Sequence, residues 1–194
     1  MSERIKTAYE RAMERAQSIN VSLDELENTE FKSRGNALAA QYLRDKRVDL
    51  GAELGSFEER VRFQAAEGVT ETLLNNLSLP TDELAVETNK RVMEGISALK
   101  EDKQSVIQIL GELDYLFNYY QQAYRQAYDH NRAVYEKKAA KTQEALERQA
   151  GVKMTVNLET QPGFKEDLMK IVTQLNDSYQ GHLDEHKRRL RRLK

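Results

Sequence analysis

The sequence predicts an all-α protein, in which a bundle of short helices continues into a long antiparallel helical hairpin of the coiled-coil type. Two observations carry this prediction. Between residues 102 and 151 there is no Pro and only one interior Gly, and apolar side chains recur at alternating intervals of four and three. A second amphipathic stretch begins at Phe164 and is long enough to fold back along the first. The predicted division is a short-helix bundle over 1–100 and the hairpin over 101–194, together forming one structural unit.

The central stretch carries a heptad pattern, which we call the heptad seam. Its a positions are Leu110, Phe117, Tyr124 and Asn131, and its d positions are Val106, Leu113, Tyr120, Ala127 and Val134. A helix of this length measures about 70 Å, whereas a compact chain of this size is about 40 Å across. We therefore expect a rod. After Val134 the apolar stripe is expected to shift by one position, to Tyr135 and Ala139.

Composition narrows the class of protein. Charged residues make up 32% of the 194 residues and hydrophobic residues 39%, which suits long solvated helices. The absence of Cys excludes disulfides and thiolate metal sites. The charged N-terminus lacks the apolar core of a signal peptide, and no apolar run approaches the roughly 20 residues that span a bilayer. A soluble, cytoplasmic protein is expected.

Helix-start and helix-stop signals divide the first hundred residues. Capping-box patterns at Ser22–Glu25 and Ser56–Glu59 predict two helix starts, and the Pro80 region predicts a break. Residues 48–55 are predicted to be a loop, and Gly35 to be a weak point. The predicted helices are Glu3–Ser18, 22–46, one from 56 to about 77, and one from after Asp82 to about Leu99. A polar turn at 100–103 separates the last from the long helix.

One segment, residues 152–158, alternates apolar and polar side chains as a strand does. A lone strand needs a mate for its backbone. It could pair with Val48–Leu50, with a second copy or with another protein, or it could be an extended linker. Pro162 and Gly163 then predict a turn before the last helix.

Two further stretches resemble a known family. These are Glu67-Gly68 followed by LLNNLSLP over 73–80, and Pro162-Gly163-Phe164 followed by Tyr179 and Leu183. They are similar to a family of uncharacterised helical bacterial proteins. The resemblance implies a bacterial source and assigns no activity.

The motif HLDEH over 182–186 matches the pattern H-x-x-E-H of inverted zinc proteases. On a helix, His182 and His186 share one face, and Glu185 could serve as the base. A third ligand is missing, because only eight residues follow and none is acidic. Both histidines also lie on the apolar stripe, so we interpret them as half-buried packing residues and expect neither a metal nor a cofactor.

The chain ends in KRRLRRLK, which has six cations and no acid. Arg188, Arg189, Arg191 and Arg192 could anchor phosphate and make the protein a nucleic-acid or ribosome-associated factor. The simpler interpretation is a solvated end whose cations complement the helix dipole.

Six of the nine tyrosines fall between residues 115 and 135. They could stack on nucleic-acid bases, but we interpret them as packing residues.

The function expected from the sequence is that of a non-enzymatic coiled-coil scaffold, adaptor or assembly factor that binds a protein partner or dimerises with itself. Asn131 would fix the register, because its amide is left unpaired when it is buried out of register. A nucleic-acid factor is the first alternative, and a metal-dependent hydrolase at His182, Glu185 and His186 is the second. The residues expected to bind the partner are Phe117, Tyr120, Tyr124, Asn131 and Val134.

Overall fold

A computed structural model describes residues 8–150, 157–158 and 161–193 of the chain. The described residues form helices and connections but no strand, which confirms the all-α prediction. The helices are α1 (Ala8–Arg44), α2 (Leu50–Gly55), α3 (Glu59–Asn76), α4 (Glu83–Leu99), α5 (Lys103–Ala150) and α6 (Phe164–Arg192).

The structure groups into two compact units. The first takes in residues up to Leu77 together with Lys90–Glu101, and the second takes in Ser78–Asn89 and the chain from Asp102 onward. Helix α4 thus contributes its first turns to the second unit and the remainder to the first. The sequence-based division at residue 100 stays a prediction, and residues 78–89 group here with the later unit.

Helices α1 and α3 pack closely in the first unit. Later residues of α1 meet later residues of α3, as shown by the Glu27–Arg60 ion pair and the Lys32–Glu67 ion pair, so the two helices run in the same direction. At their crossing, a Cβ atom on Gly35 would lie 2.0 Å from the carbonyl oxygen of Ala65. Glycine is therefore what allows this approach, and it is not a weak point of the helix.

The core of the first unit collects side chains from all four of its helices. A Cβ atom on Gly95 of α4 would contact Leu73 of α3, Tyr42 of α1 and Leu50 of α2. The Tyr42 hydroxyl donates to the carbonyl oxygen of Arg91 at 3.1 Å, and the Arg91 guanidinium lies 3.6 Å from the centre of the Tyr42 ring. Other buried residues of this core are Leu38, Ala39, Leu54, Val61, Ala65, Val69, Leu74, Leu77, Val92 and Ile96.

Two predictions about the first unit are wrong. The helix start predicted at Ser22 does not exist, because α1 continues through it, and nothing in the preceding residues breaks a helix. The loop predicted over 48–55 contains helix α2. Asp49 caps it by accepting hydrogen bonds from the backbone N–H groups of Gly51 and Ala52.

The second capping box is also not formed as predicted. Helix α3 begins at Glu59, close to the predicted position, but its N-cap residue is Glu58, whose side chain makes no capping hydrogen bond to the backbone. The Ser56 hydroxyl instead donates to the carbonyl oxygen of Glu53 at the end of α2. Ser56 thus caps the C-terminus of α2, and Phe57 and Glu58 lie between it and the start of α3.

The segment before α4 is held in the second unit by one side chain. Buried Asn89 accepts from the backbone N–H of Ser78 at 3.0 Å and donates to its carbonyl oxygen at 2.6 Å. The predicted break follows at Pro80, and Asp82 then caps α4 by accepting from the N–H of Ala85. The predicted turn before α5 is also present, and Asp102 caps that helix through the N–H of Ser105.

Helices α5 and α6 run antiparallel. Residues late in α5 meet residues early in α6, as in the hydrogen bond from Tyr135 to Asp167, whereas Glu112 near the start of α5 meets Arg189 near the end of α6. Gly163 precedes α6 with a φ of +87°, and a Cβ atom there would also lie 2.7 Å from the Tyr135 hydroxyl. The turn predicted from Pro162 and Gly163 is thus explained by backbone conformation and by space.

Residues 152–156 of the strand-like segment lie outside the described residues. Of its last two residues, Asn157 is irregular and Leu158 is in a single 3₁₀ position. Its proposed internal mate is not a strand, since Leu50 opens α2.

Candidate partner-binding surface

The heptad seam of α5 is largely buried, and Tyr120 and Asn131 contact α6. Val106, Leu113 and Tyr120 are fully buried, and Phe117 is nearly so. Leu110, Tyr124 and Ala127 are half-buried. The side chains at the centre of the seam are therefore already used within the chain.

Tyr120 shows how closely the two helices fit. Its hydroxyl donates to the Oδ1 atom of Asn176 at 2.7 Å, and its ring meets the Tyr179 ring edge-on with centroids 5.5 Å apart. Burial raises the pKa of Tyr120, so the phenol stays protonated and keeps donating.

Asn131 joins α5 to α6 by a buried hydrogen bond. It is buried, and its Nδ2 atom donates to the carbonyl oxygen of Phe164, the first residue of α6, at 3.2 Å. If α6 slipped by one turn along α5, the Asn131 amide would be buried without the Phe164 carbonyl oxygen as its acceptor. The register role of Asn131 stays a prediction, and the contact that would carry it lies within one chain.

Val134 does not lie in the seam. It is 37% exposed, and Tyr135 is buried instead. The apolar stripe shifts immediately after Asn131 because α6 offers Tyr135 two partners. The Tyr135 ring packs edge-on against Phe164 at 5.3 Å between centroids, and its hydroxyl donates to the Oδ2 atom of Asp167 at 2.9 Å.

Half-buried Tyr124 borders an open groove in the second unit. The groove has a volume of about 480 Å³. It is lined by Tyr124, Gln121 and Arg125 of α5 and by Pro80, Thr81, Asp82, Glu83, Val86 and Glu87. Tyr124 is thus the one predicted seam tyrosine that remains partly accessible beside a concave surface.

The basic end of α6 is partly neutralised within the chain. Arg188 pairs with Glu185 at 2.6 Å, and Arg189 pairs with Glu112 of α5. Arg189 holds the pKa of the Glu112 carboxyl below its usual value, which keeps this carboxylate charged. Arg191 and Arg192 are exposed. Two of the four arginines considered for phosphate binding are therefore engaged with carboxylates.

The two histidines of HLDEH differ in burial, and the interpretation of both as half-buried packing residues is wrong for His182. His182 is exposed, whereas His186 is largely buried against α5 with its Nδ1 atom 3.5 Å from the Oε2 atom of Glu112, without a hydrogen bond. Burial lowers the pKa of His186. The Glu185 carboxylate binds Arg188, which lowers its pKa and occupies the group that a hydrolase would use as a base. Among the described residues, no cluster of three or more His, Asp or Glu side chains could hold a metal ion.

The side of α5 opposite the seam carries exposed apolar side chains. Ile107, Tyr115 and Tyr119 are 68%, 70% and 63% exposed. Together with Gly111 they form a row spaced by four residues, which we call the outer row. At about 100° per residue, the centre of this row lies on the side of α5 away from Leu113 and Phe117. A Cβ atom on Gly111 would meet no other atom within 4 Å, so the row has an open notch there.

Four uncharged polar residues lie beside the outer row. They are Gln104, Gln108, Asn118 and Gln122, all of them exposed. We call these four and the outer row together the outer face. None of these eight residues is charged, although Glu112 and exposed Asp114 occupy equivalent flanking positions beside Gly111 and Tyr115. Sequence reasoning missed this surface because the tyrosines were interpreted as packing residues, and their four-residue spacing was the available signal.

Comparison with known proteins places the chain in a family. Residues 51–192 match the model of DUF6657, a family of unknown function. The chain belongs to DUF6657. This confirms the uncharacterised family expected from the sequence. Searches of curated proteins and of solved structures gave no match.

The DUF6657 match takes in helices α3 to α6, and with them the seam, the outer face and the HLDEH motif. All of α1 precedes it. None of the described helices is long and apolar enough to cross a membrane.

Proposed function

We propose that this DUF6657 protein is a non-enzymatic scaffold or adaptor that binds a protein partner through helix-to-helix contact. Helices α5 and α6 would act as an antiparallel coiled-coil hairpin, with α6 holding α5 in place and the outer face left for the partner. Cytoplasmic location and independence from cofactors remain predictions from the sequence.

The observation that supports this proposal most is the composition of the outer face. Protein interfaces are enriched in tyrosine at their centre and depleted of Lys, Glu and Asp. The outer face has two exposed tyrosines, one exposed isoleucine and no charge. A row spaced by four residues on one helix, with three large exposed side chains and Gly111 at the fourth position, is also typical of a helix that packs on another helix.

Rigidity of the seam is a second support. A helix that presents a surface must itself be held in a fixed orientation, or binding must also order it. Tyr120, Asn131 and Tyr135 each make a hydrogen bond from α5 to α6. These bonds fix which side of α5 faces outward.

Two other functions have less support. A nucleic-acid factor would rely on Arg191 and Arg192 together with whatever Arg188 and Arg189 contribute beyond their ion pairs. A metal-dependent hydrolase would need His186 to turn away from Glu112 and Glu185 to leave Arg188.

A photo-crosslinking experiment in the native cell tests the proposal. A photoreactive benzoylphenylalanine placed at Tyr119 should give protein adducts on irradiation. The same group at Met169, which is 72% exposed on α6 and outside the outer face, is the control. Adducts at 119 and few at 169 would support partner binding at the outer face. Equal labelling at both positions, or none at either, would contradict it.

A further inference from the structure

The outer row is symmetric about the level of Leu113. Gly111 and Tyr115 lie two positions on either side of that level, and Ile107 and Tyr119 lie six positions on either side. When two copies of a helix pack antiparallel around that level, each tyrosine of one copy therefore faces a different kind of residue on the other. Tyr115 faces the notch at Gly111, and Tyr119 faces Ile107.

We propose that the outer face binds the outer face of a second copy of this chain, antiparallel and centred at the level of Leu113. This inference rests on the proposed function and names the partner of the same surface. Rows spaced by four residues become parallel when two helices cross at about 50°, the commonest crossing in globular proteins. At that crossing the two outer rows lie along each other, and the interface is the same patch on both copies, as a two-fold dimer requires.

Shape favours the antiparallel arrangement. A parallel pair in register would place Tyr115 on Tyr115 and Gly111 on Gly111, which crowds one level and leaves a gap at another. In the antiparallel pair, the Tyr115 ring of each copy enters the notch at Gly111 of the other. The notch is open, since a Cβ atom on Gly111 has no neighbour within 4 Å.

The lack of charge along the outer row favours a second copy as the occupant, whereas exposed Asp114 at its flank acts against it. A surface that meets its own image brings like charges together unless it has none, and the eight residues of the outer face have none. The nearest charges are at its flanks. Arg189 already pairs with Glu112, whereas exposed Asp114 would lie on the same side as the partner's Asp114. Asp114→Asn should therefore strengthen association, most of all at low salt.

The interface is a single helix crossing, smaller than the roughly 800 Å² per partner of a standard complex. Association should therefore be reversible and depend on concentration. Sedimentation equilibrium of the full chain over a wide concentration range should show a monomer–dimer equilibrium. A monomer at every concentration would overturn the proposal.

Crosslinking tests the register. The chain has no Cys, so single cysteines report cleanly. A mixture of the Ile107→Cys and Tyr119→Cys chains, oxidised at high concentration, should give a mixed disulfide dimer identified by its intact mass. Each chain alone should give little. Efficient disulfide formation by each chain alone would show a parallel pair and overturn the antiparallel register.

Two substitutions test the contacts. Tyr115→Glu, and Gly111→Leu, which fills the notch, should each weaken the dimer about tenfold. Met169→Glu on α6 should leave it unchanged, and circular dichroism checks that each variant is folded. A dimer insensitive to Tyr115→Glu would overturn the proposal.

If the chain stays monomeric but benzoylphenylalanine at Tyr119 still captures another protein, the self-pairing fails and the proposed function stands. If neither occurs, both fail.

Discussion

Gly35 of α1 lies directly against the carbonyl oxygen of Ala65 in α3. A Cβ atom at position 35 would be 2.0 Å from that oxygen, and a Cβ atom on Gly68 would be 2.1 Å from the carbonyl oxygen of Lys32. The two helices therefore touch through main-chain atoms at two reciprocal points. Neither glycine can gain a side chain unless a helix moves.

Gly35→Ala and Gly68→Ala should each lower the free energy of unfolding by roughly 1–3 kcal/mol or more, because the added methyl group forces the helices apart. Gly181→Ala in α6 is the matched control, since a Cβ atom there meets nothing within 4 Å. It should be neutral or stabilise by up to about 1 kcal/mol. Chemical denaturation measures all three. Equal stability of the Gly35 and Gly181 variants would contradict the close crossing.

Adjacent tyrosines of α5 should respond differently to loss of the hydroxyl. Tyr120→Phe removes the hydroxyl that donates to Asn176, so the Asn176 side chain then faces an aromatic ring without a donor. This should lower the free energy of unfolding by about 1 kcal/mol. Tyr119→Phe should cost almost nothing, because Tyr119 is 63% exposed. Thermal unfolding of the two variants side by side checks this. A larger loss at Tyr119 would mean that the seam lies on the other side of α5.

Asn131→Ala should destabilise the second unit by about 1–3 kcal/mol, because the carbonyl oxygen of Phe164 loses a buried donor and a cavity remains. Asn118→Ala, at an exposed position of the same helix, is the control. The measurement is urea denaturation followed by tyrosine fluorescence. Similar midpoints for both variants would show that Asn131 does not hold the register.

His186 should make stability depend on pH. Burial lowers its pKa, and the charges of Arg189 and His182 lower it further, whereas Glu112 and Glu185 act in the opposite direction. The unfolded chain therefore binds this proton at higher pH than the folded chain. The stability contribution is complete above the ordinary histidine pKa of about 6.5 and is lost as the pH falls below it.

The melting temperature should thus drop between pH 7.5 and pH 5.5, and His186→Gln should reduce the drop. His182→Gln is the control, because His182 is exposed. Should the His182 variant remove the pH dependence and the His186 variant keep it, the explanation by burial is wrong.

The ends of the long helix could be predicted because the signals are local. Asp102 caps one end, and the predicted range of 102–151 compares with Lys103–Ala150 in the structure. One local signal, a capping-box pattern, gave a wrong prediction. The Ser22–Glu25 pattern starts a helix only where the preceding residues leave helical conformation, and here they do not.

Other features depend on parts of the chain that a local pattern does not contain. Gly35 is a close contact only because Ala65, thirty residues later, lies against it. Tyr135 rather than Val134 is buried because Tyr135 contacts Phe164 and Asp167 of α6. The outer row was visible as a spacing, but which side of α5 faces outward is decided by α6.

Beyond Ala139, every side chain of α5 that the structure describes is exposed or half-exposed, and Glu144 and Arg148 form an ion pair one turn apart. Helical structure without packing is only marginally stable in water. Amide hydrogens after residue 140 should therefore exchange with deuterium far faster than those between Glu112 and Tyr135, with the rate rising toward Ala150. A single helix would thus contain both slowly and rapidly exchanging amides, divided where α6 begins.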